Sequence, residues 1–302
     1  MIKEIALDPL AAREPREMKR LIKHSLGPFC GKYLSKFPSN GWWQEYEARF
    51  LATQPHLLAE LRQCWLNASH DFQRTFDKAD DWCTNVHREH SLRPFAVVGA
   101  TTPNSFDYPS PDDDRFDEVL HGGNVGGSFD STPQAFVDIC SVLIARGPEV
   151  VINDPYLSKL SEQDHSRILR ALLRATLASR TTNFLIITQT DENKSPAQTV
   201  LNEFDALITN SPRGCAVQVA IVKKSPPKLP SNFHQRFLIT LHGGFTFDQG
   251  FTRHRQGYKN DALLIPQPKH EELTATFISH RNMWWDDEDT IIRERSWDMP
   301  KR

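Results

Sequence analysis

The sequence predicts an α/β protein, a mixed sheet with flanking helices, preceded by a small helical N-terminal region. Three observations predict it. Between residues 133 and 222, β-branched runs alternate with helical stripes, the pattern of largely parallel strands joined by crossover helices. Between 233 and 265, apolar runs follow one another without helices, so this part should add antiparallel strands and make the sheet mixed. Residues 1–91 show helical spacing of apolar side chains. The expected organisation is a helical region at 1–91, a loop-rich connector at 92–132, an α/β domain at 133–268 and a C-terminal tail at 269–302.

The N-terminal helices are expected at Arg16 to Ser25, Trp42 to Leu51, and from Pro55 through Leu57, Leu58, Leu61 and Trp65. Phe72, Phe76 and Trp82 continue the pattern, and Pro38-Ser39-Asn40-Gly41 breaks it as a turn. Trp42 and Trp43 read as core of this unit rather than as a base-stacking platform. The connector holds a short apolar run, Phe95-Ala96-Val97-Val98, an acidic turn-rich stretch from Pro109 to Asp114, and the glycine run Gly122 to Ser128. That glycine run carries no lysine, follows no strand and opens no helix, so it reads as a loop beside a site and not as a phosphate cradle.

In the α/β domain a helix at Ala135 to Ala145 leads to strand Glu149 to Asn153, stopped by Asp154-Pro155. Helix Ser161 to Ser179 follows, its stripe made by Ile168, Leu169, Leu172, Leu173 and Leu177. Then come strand Asn183 to Thr188, helix Ala197 to Ile208, strand Ala216 to Val222, the Phe233 tract, strand Gly244 to Gly250 and strand Ala262 to Ile265. Ligands in such sheets collect at the carboxyl ends of the parallel strands, where Asp154 stands. It either faces a site or serves the turn before Pro155.

Net charge is −2, so a global positive field is excluded as the means of holding nucleic acid, and any such binding needs a local patch. No run approaches the ~18 apolar residues of a membrane-spanning helix, and the N-terminus lacks a signal-peptide core. A cytoplasmic protein without membrane contact is expected. Cys30, Cys64, Cys83, Cys140 and Cys215 are scattered and read as reduced thiols. Cys64, Cys83, His87 and His90 could be counted as four zinc ligands, but the paired C-x2-C element is missing, and no metal or cofactor is expected.

The chemistry concentrates in His234-Gln235-Arg236 at the mouth of the apolar run Phe237 to Leu241, followed by a Gly-rich strand. On a strand, residues two apart share a face, so imidazole and guanidinium would project together. That pairs an acid, base or nucleophile with a planar donor fork suited to phosphate. The plainer reading is a half-buried strand start whose polar side chains cover an edge.

Asn153-Asp154-Pro155-Tyr156-Leu157 after a strand, the strands Phe184 to Thr188 and Val217 to Ile221, then His234-x-Arg236-Phe237 and a Gly-rich strand together resemble a phospholipase D-like domain over residues 133 to 268. The signature of that family is H-x-K, four residues, D, then a Gly/Ser pair. The resemblance implies that His234 corresponds to the nucleophile, forming a phosphohistidine, and Arg236 to the phosphate-binding lysine. It implies that a second histidine protonates the leaving oxygen, supplied by a second copy in members with one motif. The aspartate position falls on Leu241, and the Gly/Ser pair falls on Asp248-Gln249, with Gly250 two residues displaced. His165-Ser166-Arg167 repeats the H-x-R spacing on a helix, where its ends do not share a face. His242 and His254 are the nearby candidates for a general acid.

An imidazole nucleophile needs an acceptor on its other nitrogen, and Asp248, Asp154 or Asp261 could supply it. Asp154, Asp248, Gly250, Arg253 and His254 are the expected substrate-binding residues. Lys223, Lys224, Lys228, Arg253, Arg255 and Lys259 could track a nucleic-acid backbone, although each taken singly reads as a solvated loop residue. Two functions stand side by side. One is a homodimeric, metal-independent phosphodiesterase or nuclease acting on DNA or RNA. The other is a catalytically inactive phospholipase D-like module that binds phosphate, nucleic acid or a protein partner. In the second, residues 1–91 and the tail Trp284 to Asp289 would dock other subunits, or the tryptophans would pack on the chain's own core. Domains of this family with unusual N-terminal extensions also suggest a component of bacterial defence.

Overall fold

The computed structural model describes residues 2–39, 41–121, 126–158, 160, 165–190, 196–223, 231–252, 259–281 and 291–300. The chain divides into two compact units, 2–125 and 126–302. The expected boundaries at 91, 132 and 268 differ from this division. The connector gives its first part to one unit and its last to the other, and the tail belongs to the second.

In the first unit the expected helices form as α1 (Pro15–Ser25), α2 (Trp42–Phe50) and α3 (Pro55–Ala68); the pattern expected to continue through Phe72 and Phe76 is not helical there, and helix resumes at α4 (Trp82–Leu92). Proline starts α1 and α3, where its missing N–H costs no hydrogen bond. The Asp81 side chain caps α4 by accepting the Thr84 amide at 2.7 Å. The region is not all-helical, however. Strands β1 (Lys3–Leu7), β2 (Lys32–Ser35), β3 (Ser69–His70) and β4 (Val97–Gly99) pair in the order β3-β2-β1-β4, all parallel. These strands are two to five residues long, too short to display alternation, and their central members are buried on both faces, so the helical signal around them dominated the pattern. Helix α5 (Asp114–His121) closes the unit, packing Phe116 and Leu120 with Trp42, Trp43, Tyr46 and Trp65. The tryptophans are therefore core residues of this unit.

The second unit is built on an eight-stranded mixed sheet. It comprises β5 (Gly126–Asp130), β6 (Glu149–Asn153), β7 (Asn183–Thr190), β8 (Ala216–Lys223), β9 (Phe237–Thr240), β10 (Gly243–Phe247), β11 (Lys259–Leu264) and β12 (Ile291–Trp297). Their order is β12-β8-β7-β6-β9-β10-β11-β5. β6, β7 and β8 are mutually parallel; β9, β10, β11 and β5 run antiparallel in succession, and β12 is antiparallel to β8. The expected parallel core and antiparallel continuation are both present. β5 and β12 lie in segments read as connector and tail, and they join the sheet through long-range pairing that no local pattern announces.

Helices α6 (Pro133–Arg146), α7 (His165–Ala175) and α8 (Ala197–Thr209) accompany the parallel strands, and α9 (Gln267–Thr274) follows β11. Because β6, β7 and β8 step in one direction, right-handed crossovers place α7 and α8 on one face, with α6 beside α7. Leu273 of α9 and Phe277 pack with Val151, Leu185, Ile187, Phe237 and Ile239. Val150, Val151 and Ile152 are all fully buried, as expected of a strand covered on both faces.

Candidate functional site

The end of β6, the start of β9 and the turn after β10 meet at one edge of the second sheet, since Asn153 pairs with Phe237 and the Phe247 amide donates to the Arg236 carbonyl at 2.9 Å. Pro155 stops β6 and turns the chain. Asp154 is fully buried there, and its two carboxylate oxygens do different jobs. Oδ1 accepts the Tyr156 amide at 2.9 Å, closing the local turn, while Oδ2 accepts the Phe251 amide at 2.9 Å from the far side of the site. Burial pushes the Asp154 carboxyl up from its ordinary value, against the opposing pull of those two amides and of the Arg236 charge.

Gly250 lets this carboxylate come close. Its φ is +69°, in the left-handed region, and a Cβ there would stand 2.6 Å from Arg236 Cδ and collide with Asp154 Oδ2. Buried Asn260 holds the same turn, donating Nδ2 to the Gly250 carbonyl at 2.7 Å and accepting the Gln249 amide at 3.2 Å. Asp248 precedes the turn and accepts the amides of Gln249 and Asp261 at 2.7 and 2.9 Å. Burial would raise its carboxyl, but the hydrogen bonds from Asp261 and Gln249 and the nearby Arg236 outweigh that and hold it below the ordinary value.

Arg236 is half-buried and lies across this frame. Its Nη1 donates to the Asp248 carbonyl, and its guanidinium carbon sits 4.7 Å from the centre of the Tyr156 ring. His234 is exposed at the end of a short 3-10 turn, Ser231–His234. The strand begins only at Phe237, so the expected placement of His234 and Arg236 on one strand face does not hold. Asn153 explains the difference. Its Nδ2 donates to the carbonyls of Phe233 at 2.9 Å and Gln235 at 2.6 Å, curling the backbone that flanks His234. Phe233, fully buried, anchors the same turn in the core.

Asp154, Arg236, Asp248 and Gly250 are thus brought together, with His234 on the adjoining turn. Arg253 and His254, together with Lys224, Lys228, Arg255 and the Trp284 to Asp289 tail, lie outside the described residues. His242 is not part of the site. It follows β9, whose last residue, Thr240, pairs with Val150 at the start of β6, at the opposite end of the strand from Asp154. His165 is buried at the start of α7. Asp261 uses its amide on Asp248 and its carboxylate accepts the Ser128 hydroxyl, so it serves the β5 to β11 edge. Lys223 and Lys259 are exposed at the ends of β8 and β11. Among the described residues no group of three or more His, Cys, Asp or Glu side chains is placed to hold a metal ion, and no helix is long and apolar enough to cross a membrane.

Asn153 and Tyr156 were read from sequence only as neighbours of Asp154 in its motif, without a role at the site, and Asn260 was not read at all. The available signal was a polar residue at the edge of an apolar run, Asn153 closing Val150 to Ile152 and Asn260 standing two residues before Ala262 to Ile265. A buried amide fixes a turn without adding charge, Asn153 through its donor and Asn260 through both donor and acceptor.

No protein-family model matches the chain, and no curated protein does. Among solved structures, the chain is similar to TrmBL2, an archaeal chromatin protein described as showing a novel mode of DNA binding. The likeness has 10% identity and a TM-score of 0.24, covering 77% of this chain and 69% of that one.

Proposed function

We propose that the second unit is a phospholipase D-like module that binds a phosphate group of nucleic acid, with Arg236 as the principal donor and His234 beside it. The observation that carries this reading is the frame around Arg236. A half-buried guanidinium is held by the Asp248 carbonyl and the Tyr156 ring at the open edge of the sheet, above a turn that tolerates only glycine. A planar donor fork pre-set in this way suits a phosphate oxygen pair. His242, at the opposite end of β6 from this edge, does not supply a second imidazole beside His234, and recognition needs none.

The second reading, a metal-independent phosphodiesterase, draws on one observation: His234 is exposed while Asn153 fixes the carbonyls on both sides of it. A nucleophile needs that kind of positioning. In this reading the second histidine comes from His254 or from a second copy of the chain.

Titrating a labelled oligonucleotide at several salt concentrations tests the first reading. Arg236→Ala should weaken binding and reduce the magnitude of the log–log salt slope by about one phosphate contact. Binding that is unchanged in this variant would remove Arg236 from the interface. Cleavage of the same oligonucleotide in EDTA, lost in His234→Asn, would instead establish the phosphodiesterase.

A further inference from the structure

Tyr156 is the only exposed aromatic side chain among the described residues, at 56% exposure; the other described phenylalanines, tyrosines and tryptophans are buried or half-buried. It does not sit on a loose loop. Its amide is held by Asp154 Oδ1 at 2.9 Å, the carbonyl of Pro155 accepts the Gln189 amide at 3.4 Å, and Leu157, the next residue, is fully buried. The ring is oriented as well, because the Arg236 guanidinium lies over it with 4.7 Å between carbon and ring centre. An outward aromatic in contact with the residue that would take a phosphate, with more than half of its surface exposed, keeps area free for a ligand.

Base and phosphate of one nucleotide present this pair of demands. The guanidinium fork meets the anion and an aromatic plane beside it meets the base. Base-on-ring stacking tolerates any sequence because every base has a π-face, and it requires a base that is not stacked inside a duplex. The geometry points to Tyr156 as a stacking platform for an unpaired base, making single-stranded nucleic acid, DNA or RNA, the ligand of this edge. This rests on the reading of Arg236 as a phosphate donor and adds the strandedness of the ligand.

The test uses the full chain and four fluorescein-labelled probes of one length: a mixed-sequence DNA strand, its RNA counterpart, the DNA duplex, and an abasic DNA strand with the same phosphates. Binding by anisotropy should rank both base-bearing single strands above duplex and abasic strand. Tyr156→Ala should weaken the base-bearing single strands by roughly 5- to 150-fold, the range of one lost stack, beyond whatever loss it causes on the abasic strand through Arg236. Tyr156→Trp should retain the preference and Tyr156→Leu should lose it, which separates stacking from simple apolar contact. Arg236→Ala should weaken all four probes.

If Arg236→Ala weakens every probe but Tyr156→Ala leaves the ratio of base-bearing to abasic binding intact, the stacking role fails and the phosphate reading survives. Failure of the wild-type chain to bind any probe overturns both. Equal binding of duplex and single strand overturns the assignment of strandedness. Thermal melts matching wild type show that each variant is folded.

Discussion

The carboxylate of Asp154 accepts the backbone amide of Phe251 at 2.9 Å, joining two residues 97 positions apart in the chain. Everything at the candidate site is arranged around that bond. It draws the turn after β10 against the end of β6, and Arg236 closes over the pair. Measurable consequences come from this geometry and from two pairs of polar groups elsewhere, His242 with His270 and Arg74 with Glu4.

Gly250→Ala should destabilise the second unit by at least about 2 kcal/mol. The left-handed backbone alone costs an alanine about 1–2 kcal/mol, and the new methyl group must displace Arg236 or Asp154. Denaturant unfolding measures the loss. If the midpoint stays within error of wild type, the turn is not built as described.

Asp154→Ala strands two amides, those of Tyr156 and Phe251, and removes the buried acceptor that ties β6 to the turn. A loss of about 2–4 kcal/mol is expected from two unsatisfied donors. Hydrogen exchange supplies the specific readout, because the Phe251 amide should lose protection far more than amides in the middle of β7.

Asn153→Leu keeps the volume and removes the donor shared by the Phe233 and Gln235 carbonyls. Stability should fall by about 1–3 kcal/mol, and oligonucleotide binding should fall with it as the His234 turn loosens. NMR of the His234 ring tests the positioning directly. A ring signal with unchanged shift and linewidth in the variant would show that Asn153 does not order it.

In the second unit, the histidine contribution to the pH dependence between neutral and mildly acidic conditions should come from His242 and His270. Burial lowers both from the ordinary 6.5, helped at His242 by Arg146 and by His270 itself. His270 Nε2 donates to the Thr240 carbonyl at 2.7 Å, and its Nδ1 lies 3.5 Å from the Thr274 hydroxyl, an arrangement that suits the neutral ring. A depressed folded-state value means the stabilisation is complete above 6.5 and is lost as pH falls through that depressed value. Thermal midpoints should therefore drop between pH 7 and about pH 5, and the double variant His242→Asn, His270→Asn should show a flatter profile in that window from a lower starting point.

In the first unit Arg74 holds Glu4 through a forked contact, with Nη2 to Oε2 at 2.7 Å and Nε to both oxygens at 3.1 and 3.2 Å. The two side chains are only 3% and 9% exposed. Arg74→Met leaves the buried Glu4 carboxylate with only the Ser35 hydroxyl at 2.7 Å and the more distant Arg93 guanidinium at 3.7 Å, and should cost about 3 kcal/mol. Adding Glu4→Leu should recover much of this by removing the stranded charge. A double variant as unstable as the single one would argue against that pairing.

Fold class was legible because the second unit obeys local rules. The β-branched strands Glu149 to Asn153 and Asn183 to Thr190 and the apolar stripe of α7 each bury enough neighbouring side chains to leave a period in the sequence. The first unit was half legible. Its helices carry amphipathic spacing, whereas β1 to β4 are so short that only pairing with one another marks them as strands. β5 and β12 were hidden for a related reason: a strand at a sheet edge draws its definition from its partner, and Gly126-Gly127-Ser128 carries no signal of its own.

The sequence by itself determined the alternation that makes an α/β sheet, the proline that ends β6 with Asp154 at the carboxyl edge, and the proximity of His234 to Arg236. Tertiary structure decided what those residues do. The side-chain amides of Asn153 and Asn260, each donating across the fold, set the turns that carry His234 and Gly250; pairing of Thr240 with Val150 sent His242 to the far end. Hydrogen bonds and ring contacts between residues so distant in sequence leave no period along the chain. Their energy depends on distances of a few ångströms that only the folded chain brings about.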